Sequence, residues 1–197
     1  MKERPILFSG DMVRALLEGR KTMTRRVCKL TLFDMELWIA NRYSNNPNVK
    51  AACPYGQPGD QLWVRETWAN LSKPEYPPEY IYRADPVEIN EYEADGGKWR
   101  PSIFMTRKAS RIDLETTAVR VERVHDISEE DAKAEGVCSG FECDDIAAFM
   151  DKRFDPERES TFRLGFKHLW NFINAKRGYG WEVNPWVWVI EFKRIKP

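Results

Sequence analysis

The amino-acid sequence predicts one α+β domain, with β-strands near both ends of the chain and helices between them. The segment from Trp186 to Phe192 is continuously apolar, which indicates a strand buried on both faces. Pro5 to Phe8 has the composition of a short strand, and apolar residues recur at helical spacing from Phe162 to Ile173. This arrangement favours a closed barrel in which the last strand lies near the first.

The N-terminal region has a strand, helix and loop pattern. Ser9 is a suitable helix cap, the apolar residues between Val13 and Leu17 share one helical face, and Gly19 provides a left-handed stop. The segment from Arg20 to Val27 is polar and basic, and it predicts a loop that leaves the helix.

The middle of the chain contains two more predicted strands and two helices. A Gly-Asp turn at 59–60 precedes a strand from Gln61 to Trp68, and apolar alternation indicates a half-buried strand between Arg111 and Val124. A short capped helix is predicted from Ser128 to Gly136, and another helix from Asp144 to Arg153.

Composition limits the classes of function. The 197 residues include 31 basic and 31 acidic side chains, so the formal net charge is zero. Nonspecific binding of nucleic acid relies on uncompensated positive charge and is therefore not expected. Residues 1–30, however, carry eight basic and three acidic side chains, an excess that suits an anionic or nucleotide-like ligand.

The sequence favours a cytoplasmic protein without a membrane partner. No apolar run approaches the roughly 20 residues that span a bilayer, and the N-terminus lacks the apolar core of a signal peptide. Four cysteines are too few for a disulfide scaffold. Cys138 and Cys143 lack the ligand spacing of a zinc site, and no glycine-rich phosphate loop is present, so no metal or cofactor is predicted.

The segment Gly19–Arg26 carries the residue types that amide hydrolysis requires. This reaction needs a nucleophile, a base that deprotonates it and a group that orients the base. The Thr24 hydroxyl follows the Lys21 amine by three residues, a spacing at which the two can meet in a helix-like turn. Lysine acts as a base only when neutral, so its pKa must be lowered by burial or by cations such as Arg25.

The same segment resembles the signature of the ASCH family, Gly-x-Lys-x-x-Thr-x-Arg. Its four fixed positions are occupied by Gly19, Lys21, Thr24 and Arg26. The resemblance implies a PUA-like β-barrel with flanking helices, formed as a single domain over residues 1–197. It also implies long loop insertions, around residues 29–58, 69–100 and 138–160. As a whole, the chain looks like the longer ASCH proteins of phages and prophages.

One branch of the ASCH family is a bacterial amidohydrolase that removes the acetyl group from N(4)-acetylcytidine. The resemblance implies that Lys21, Thr24 and Glu135 are catalytic and that Arg26 orients the substrate. Glu135 is preferred over two earlier glutamates because its spacing from the preceding strand agrees best. Two schemes stay open: neutral Lys21 deprotonates Thr24, or Glu135 activates Thr24 or water while cationic Lys21 stabilises the oxyanion.

Three residues of the predicted strand after the 59–60 turn are further candidates for substrate binding. Arg65 or Glu66 can contact a base edge, and Trp68 can stack on the base. The alternative is structural, with an ion pair and a tryptophan packed in the core.

The predicted function is metal-independent hydrolysis of the exocyclic amide of an N(4)-acylated cytidine or a related modified nucleoside. A noncatalytic RNA-binding module and a ribonuclease are the alternatives, both with RNA as the partner. A binding module should present a broad basic face, whereas a nucleoside hydrolase needs only a small enclosed pocket. The zero net charge favours the hydrolase.

Overall fold

The computed structural model describes residues 1–29, 53–71, 79–85, 92, 97–137 and 162–195. The strands are β1 (Glu3–Leu7), β2 (Met23–Val27), β3 (Gln61–Arg65), β4 (Trp68–Asn70), β5 (Tyr80–Tyr82), β6 (Asp113–Arg123) and β7 (Trp186–Ile195). The α-helices are α1 (Gly10–Leu17), α2 (Glu129–Ala134) and α3 (Phe162–Asn174). None of these described helices is long and apolar enough to span a bilayer.

Five strands form one mixed sheet in the order β1-β3-β6-β7-β2, which confirms the predicted α+β class. β1 and β3 are parallel, and the other three pairings are antiparallel. The first strand, the strand that contains Val119 and Val121, and the last strand belong to the same sheet, as predicted. β7 lies between β6 and β2, and its residues Val187 to Ile190 are buried, which explains the continuous apolar run.

The predicted barrel is not closed. Within the described residues, the two edge strands β1 and β2 are not hydrogen-bonded to each other. The Arg26 side chain spans the gap instead, and its Nη2 atom donates to the Leu7 carbonyl oxygen at 2.5 Å. The guanidinium carbon of Arg26 lies 5.3 Å from the centre of the Phe8 ring. A side chain rather than a backbone ladder therefore connects β1 to β2, and the sheet is open on this side.

The predicted loop from Arg20 to Val27 is wrong in its second half, where the chain forms β2. This strand pairs with β7 in a register that runs from Met23 opposite Glu191 to Val27 opposite Val187. The polar sequence does not indicate a buried strand, because charged residues are usually exposed. Here the side chain of Arg25 is fully buried and forms ion pairs with distant parts of the chain.

The sheet separates two apolar cores. On one face, the β7 residues Trp188 and Ile190 pack with α1 residues that include Leu16. On the other face, Val187 and Val189 pack with side chains of α2 and α3. Alternate residues of one strand thus enter different cores, as the two-residue period of a strand requires.

The other predicted elements are confirmed in part. The Ser128 hydroxyl accepts a hydrogen bond from the Asp131 amide at 3.1 Å, so it caps α2 as predicted. The predicted strand from Gln61 to Trp68 is divided, because β3 ends at Arg65 and Trp68 begins a two-stranded sheet of β4 and β5. The predicted helix at 144–153 lies outside the described residues, as do large parts of the three predicted insertions.

Candidate functional site

A cleft of about 540 Å³ lies at the open edge of the sheet, lined by residues of both β2 and α3. Helix α3 forms its apolar wall, because Phe166, Leu169, Trp170 and Ile173 recur at helical spacing. The indole Nε1 of Trp170 donates to the Tyr179 carbonyl oxygen at 2.8 Å, which fixes the ring. The cleft therefore has a rigid aromatic side.

The facing wall is polar. Thr24, Arg25 and Arg26 of β2 line the cleft together with Glu135, which follows α2 directly. Because β2 is an edge strand, side chains from both of its faces border the opening. The remaining lining residues are Met12, Val27, Lys29, Tyr55, Asn174, Arg177 and Tyr179.

Glu135 and Lys21 form a buried ion pair. The Lys21 Nζ atom donates to the Glu135 Oε2 atom, the Glu135 carbonyl oxygen and the Met23 carbonyl oxygen, each at 2.8 Å. Lys21 is 2% exposed and Glu135 is 4% exposed. Burial lowers the pKa of Lys21, and the Glu135 carboxylate opposes that shift. Glu135 lines the cleft, whereas Lys21 does not line it and contacts Glu135 instead.

Gly136 permits this close approach between α2 and the start of β2. Its φ angle is 81°, and a Cβ atom here would lie 2.9 Å from the Cβ of Lys21 and 2.8 Å from the Cβ of Ala15. A larger residue would therefore separate the two segments. The Thr22 amide also donates to the Ala134 carbonyl oxygen at 2.8 Å, which holds α2 against the chain just before β2.

A second cation, Arg25, also holds Glu135. The Nη1 atom of Arg25 lies 3.4 Å from Oε1 of Glu135, the oxygen that Lys21 leaves free. The Nη2 atom of Arg25 contacts Glu122 at 2.6 Å and Asp131 at 2.5 Å. Arg120 contacts the same two carboxylates. Each carboxylate oxygen of Glu135 therefore has a cationic partner, and the group is held in one orientation.

Thr24 and Arg26 lie on the same strand as Arg25. Thr24 is 2% exposed, and its backbone is held opposite Ile190 of β7. Arg26 is anchored by its bond to Leu7, while its Nε atom is buried and has no hydrogen-bond partner among the described residues. The structure thus brings Thr24, Arg26 and Glu135 to one cleft and joins Lys21 to Glu135. Their catalytic and binding roles stay predictions.

Glu66 lies outside this cleft, in a second buried charge network. It is 1% exposed, and its two carboxylate oxygens accept hydrogen bonds from Arg111 at 3.0 and 3.1 Å. Arg111 also donates to Asp85 at 2.6 Å, and its guanidinium carbon lies 3.9 Å from the centre of the Tyr82 ring. Burial raises the pKa of Glu66, and the contact with Arg111 opposes that shift.

Arg65 and Trp68 also lie outside the cleft lining. Trp68 is buried against Tyr80, with ring centres 5.6 Å apart. Arg65 donates to the Ile103 carbonyl oxygen, and its guanidinium carbon lies 5.5 Å from the centre of the Trp63 ring. Glu66 is therefore part of an ion pair and Trp68 is packed in the core, as the structural alternative predicts. None of the three residues lines this cleft, so it does not support their predicted contacts with a base.

Sequence reasoning missed Asn174 and Arg177, which line the cleft at and just after the C-terminal end of α3. Asn174 follows Trp170 by four residues, so helical spacing was the signal that could have found it. Arg177 lies in the 3-10 turn Ala175–Arg177, which ends at Gly178 with a φ angle of 82°. No comparable signal in the sequence indicated Arg177.

The described part of the cleft offers carboxylate, hydroxyl, amide, guanidinium and aromatic groups. In the described parts of the chain, no cluster of three His, Cys, Asp or Glu side chains is arranged to hold a metal ion.

Comparisons with known proteins identify one similar structure. No protein-family model and no curated protein matches the sequence. A crystal structure of an ASCH domain from Lactobacillus crispatus JV V101 is similar, with a TM-score of 0.43 and 14% sequence identity. The match covers 98% of this chain and 79% of that chain.

Proposed function

We propose that this chain is an amidohydrolase that removes the acyl group from the exocyclic amine of an N(4)-acylated cytidine or a related modified nucleoside. One observation carries the proposal: the Glu135 carboxylate, held by Lys21 and Arg25, lines the same cleft as Thr24. The resemblance of Gly19–Arg26 to the ASCH signature suggests the substrate class.

The dimensions and lining of the cleft suit a nucleoside. Small-molecule sites commonly have volumes of roughly 300–1,000 Å³, and this cleft has about 540 Å³. Trp170, Tyr179 and Tyr55 offer aromatic faces on which a pyrimidine can stack. The Asn174 amide provides both a donor and an acceptor for the polar edge of a base.

In the proposed reaction, the Glu135 carboxylate accepts the proton of the attacking hydroxyl group, which belongs to Thr24 or to a water molecule. The hydroxyl oxygen adds to the acyl carbon, and the carbonyl electron pair moves onto the carbonyl oxygen. When this intermediate collapses, the C–N bond breaks and Glu135 returns the proton to the departing amine. Water attack yields cytidine and a carboxylic acid directly, whereas Thr24 attack yields an acyl-enzyme that water then hydrolyses.

The contacts of Lys21 favour the scheme in which Glu135 is the base. An ammonium group has three protons, and the Lys21 Nζ atom has three acceptors at 2.8 Å. A neutral amine would direct its lone pair at one of these oxygens. We therefore assign Lys21 as a positioning residue that orients Glu135, rather than as the group that touches the substrate.

The decisive experiment is a hydrolysis assay with purified protein and N(4)-acetylcytidine, in which released cytidine is separated and quantified. Thr24→Val removes the hydroxyl and keeps the branched shape that suits a strand. We expect it to lower kcat/KM by at least about 100-fold. Thr22→Val is the matched control, because Thr22 is exposed, lies two residues away and does not line the cleft.

Of three informative results, the first and the last would overturn the proposal, and the second would decide which group attacks. Wild-type protein that releases no cytidine from any acylated cytidine, yet binds single-stranded RNA, would support the RNA-binding alternative. Equal activity of Thr24→Val and Thr22→Val would remove the hydroxyl from the mechanism and leave water as the attacking group. Cleavage of RNA by the wild type, without release of cytidine from the acylated nucleoside, would support the ribonuclease.

A further inference from the structure

The charges that line the cleft do not balance. Of the described residues lining it, four are basic, namely Arg25, Arg26, Lys29 and Arg177, and one is a carboxylate, Glu135. Glu135 and Arg25 already neutralise each other within the network that includes Lys21. Arg26, Lys29 and Arg177 form no ion pair with any other described residue. Among the described residues, the cleft therefore presents three cations without an ionic partner.

Arg26 provides an independent indication of a missing partner. Its Nη2 atom is bonded to Leu7, but its buried Nε atom has no hydrogen-bond partner within the described parts of the chain. A buried donor without a partner is rare in folded proteins. Burial lowers the pKa of Arg26, and nearby Arg177 lowers it further, although Tyr55 and Glu135 oppose these effects. Two guanidinium groups of like charge thus lie near each other in one opening.

We infer that Arg26, Lys29 and Arg177 form a phosphate-binding subsite, so that the cleft takes a phosphorylated nucleoside in preference to the free nucleoside. The identity of the base rests on the proposed function, whereas the subsite rests on the charge of these three residues and on the hydrogen-bond deficit of Arg26. Phosphate is the anionic group that a nucleotide contributes, and guanidinium groups bind its oxygens with paired, charge-assisted hydrogen bonds. The phosphate belongs either to a free mononucleotide or to an RNA chain.

The test is a comparison of binding affinities by calorimetry in a phosphate-free buffer, which requires no turnover. We expect cytidine 5′-monophosphate to bind the wild type at least about tenfold more tightly than cytidine, because charge-assisted hydrogen bonds are added. Arg177→Gln should remove most of this advantage and leave the affinity for cytidine unchanged. Lys176→Gln is the matched control: Lys176 lies in the same turn, is exposed and does not line the cleft.

Further arms distinguish the two sources of phosphate. Cytidine 3′-monophosphate and a short single-stranded RNA are measured with the same three proteins. An advantage that depends on Arg177 and appears only with RNA assigns the subsite to a phosphodiester, and one that appears with a mononucleotide assigns it to a free nucleotide. If cytidine gives no measurable heat, a loss of nucleotide affinity in Arg177→Gln but not in Lys176→Gln still supports the subsite.

The inference is overturned if no phosphorylated probe binds, or if phosphate adds no affinity. It is also overturned if Arg177→Gln and Lys176→Gln lose affinity equally, because that result indicates only general attraction to a basic surface. Failure of the proposed reaction is separable from these outcomes. If the protein releases no cytidine but binds nucleotides through Arg177, the proposed subsite is supported and the proposed reaction is rejected.

Discussion

The Nζ atom of Lys21 lies 2.8 Å from the Oε2 atom of Glu135, although 114 positions separate the two residues in the sequence. Both side chains are almost completely removed from solvent. Removal of one partner from such a pair leaves a buried charge without compensation, whereas replacement of both with apolar groups is better tolerated.

We therefore expect Lys21→Met to lower the free energy of unfolding by about 3–5 kcal/mol. The double variant Lys21→Met with Glu135→Leu should be more stable than Lys21→Met alone, because it lacks the buried carboxylate that would keep only the 3.4 Å contact with Arg25. Urea unfolding followed by circular dichroism measures both. A loss below about 1 kcal/mol in Lys21→Met would mean that the pair behaves like an exposed ion pair.

A second prediction concerns the rate of the proposed reaction. Lys21 holds the Glu135 carboxylate in one orientation, so its removal should impair the step in which Glu135 accepts a proton. In Lys21→Met, we expect kcat to fall by about 100-fold or more while KM changes little, because Lys21 does not line the cleft. Both constants are measured at a temperature where circular dichroism shows the variant to be folded. A kcat close to that of the wild type would show that Lys21 supports only the fold.

Cys53 predicts a pH dependence of stability. Burial raises the pKa of its thiol from 9.0 to about 11. The folded state thus holds this proton more tightly than the unfolded state. The contribution of the thiol to the free energy of unfolding is therefore complete below pH 9 and is lost as the pH rises to 11. Between pH 8 and pH 10, the wild type should lose about 1 kcal/mol more stability than Cys53→Ser. Identical pH dependence of the two proteins in urea unfolding would contradict the shift.

Substitution of Arg111 tests whether the buried Glu66–Arg111 ion pair stabilises the fold or takes part in substrate binding. Arg111→Met leaves the buried Glu66 without its cation, and we expect a loss of about 3–5 kcal/mol in unfolding free energy. Asp85→Asn should cost about 1 kcal/mol or less, since Asp85 is partly exposed. Folded Arg111→Met should keep the KM of the wild type, because Arg111 does not line the cleft. A raised KM with a normal kcat would instead support the predicted role of Glu66 in substrate binding.

The sequence predicts best the elements whose apolar pattern is complete within a short segment. The last strand and helix α3 were predicted because their residues alone define a buried run and a helical stripe. Strand β2 was not predicted, because three of its five residues are polar and the carboxylates that pair with Arg25 lie more than ninety positions away. Local patterns contain no information about such partners.

The candidate site shows the same division. A short motif and the resemblance it carries indicated Lys21, Thr24 and Glu135, and the structure places them together. The closed barrel implied by that resemblance is not observed among the described residues, where β1 and β2 are joined by the Arg26 side chain and not by paired backbone. Arg25 is neutralised by ion pairs, whereas Arg177 forms none with the described residues, and this difference depends on tertiary contacts that only the structure shows.

The position of β7 between β6 and β2 has a consequence for biosynthesis. In the described sheet, β2 pairs only with β7, so Thr24 has no strand partner until Ile190 has left the ribosome. At typical translation rates, this interval lasts roughly ten to thirty seconds. The polar segment with Arg25 and Arg26 must stay hydrated and unpaired while most of the protein is made. A nascent chain that stalls before its final strand therefore contains every predicted catalytic residue but lacks β7, the strand that pairs with β2.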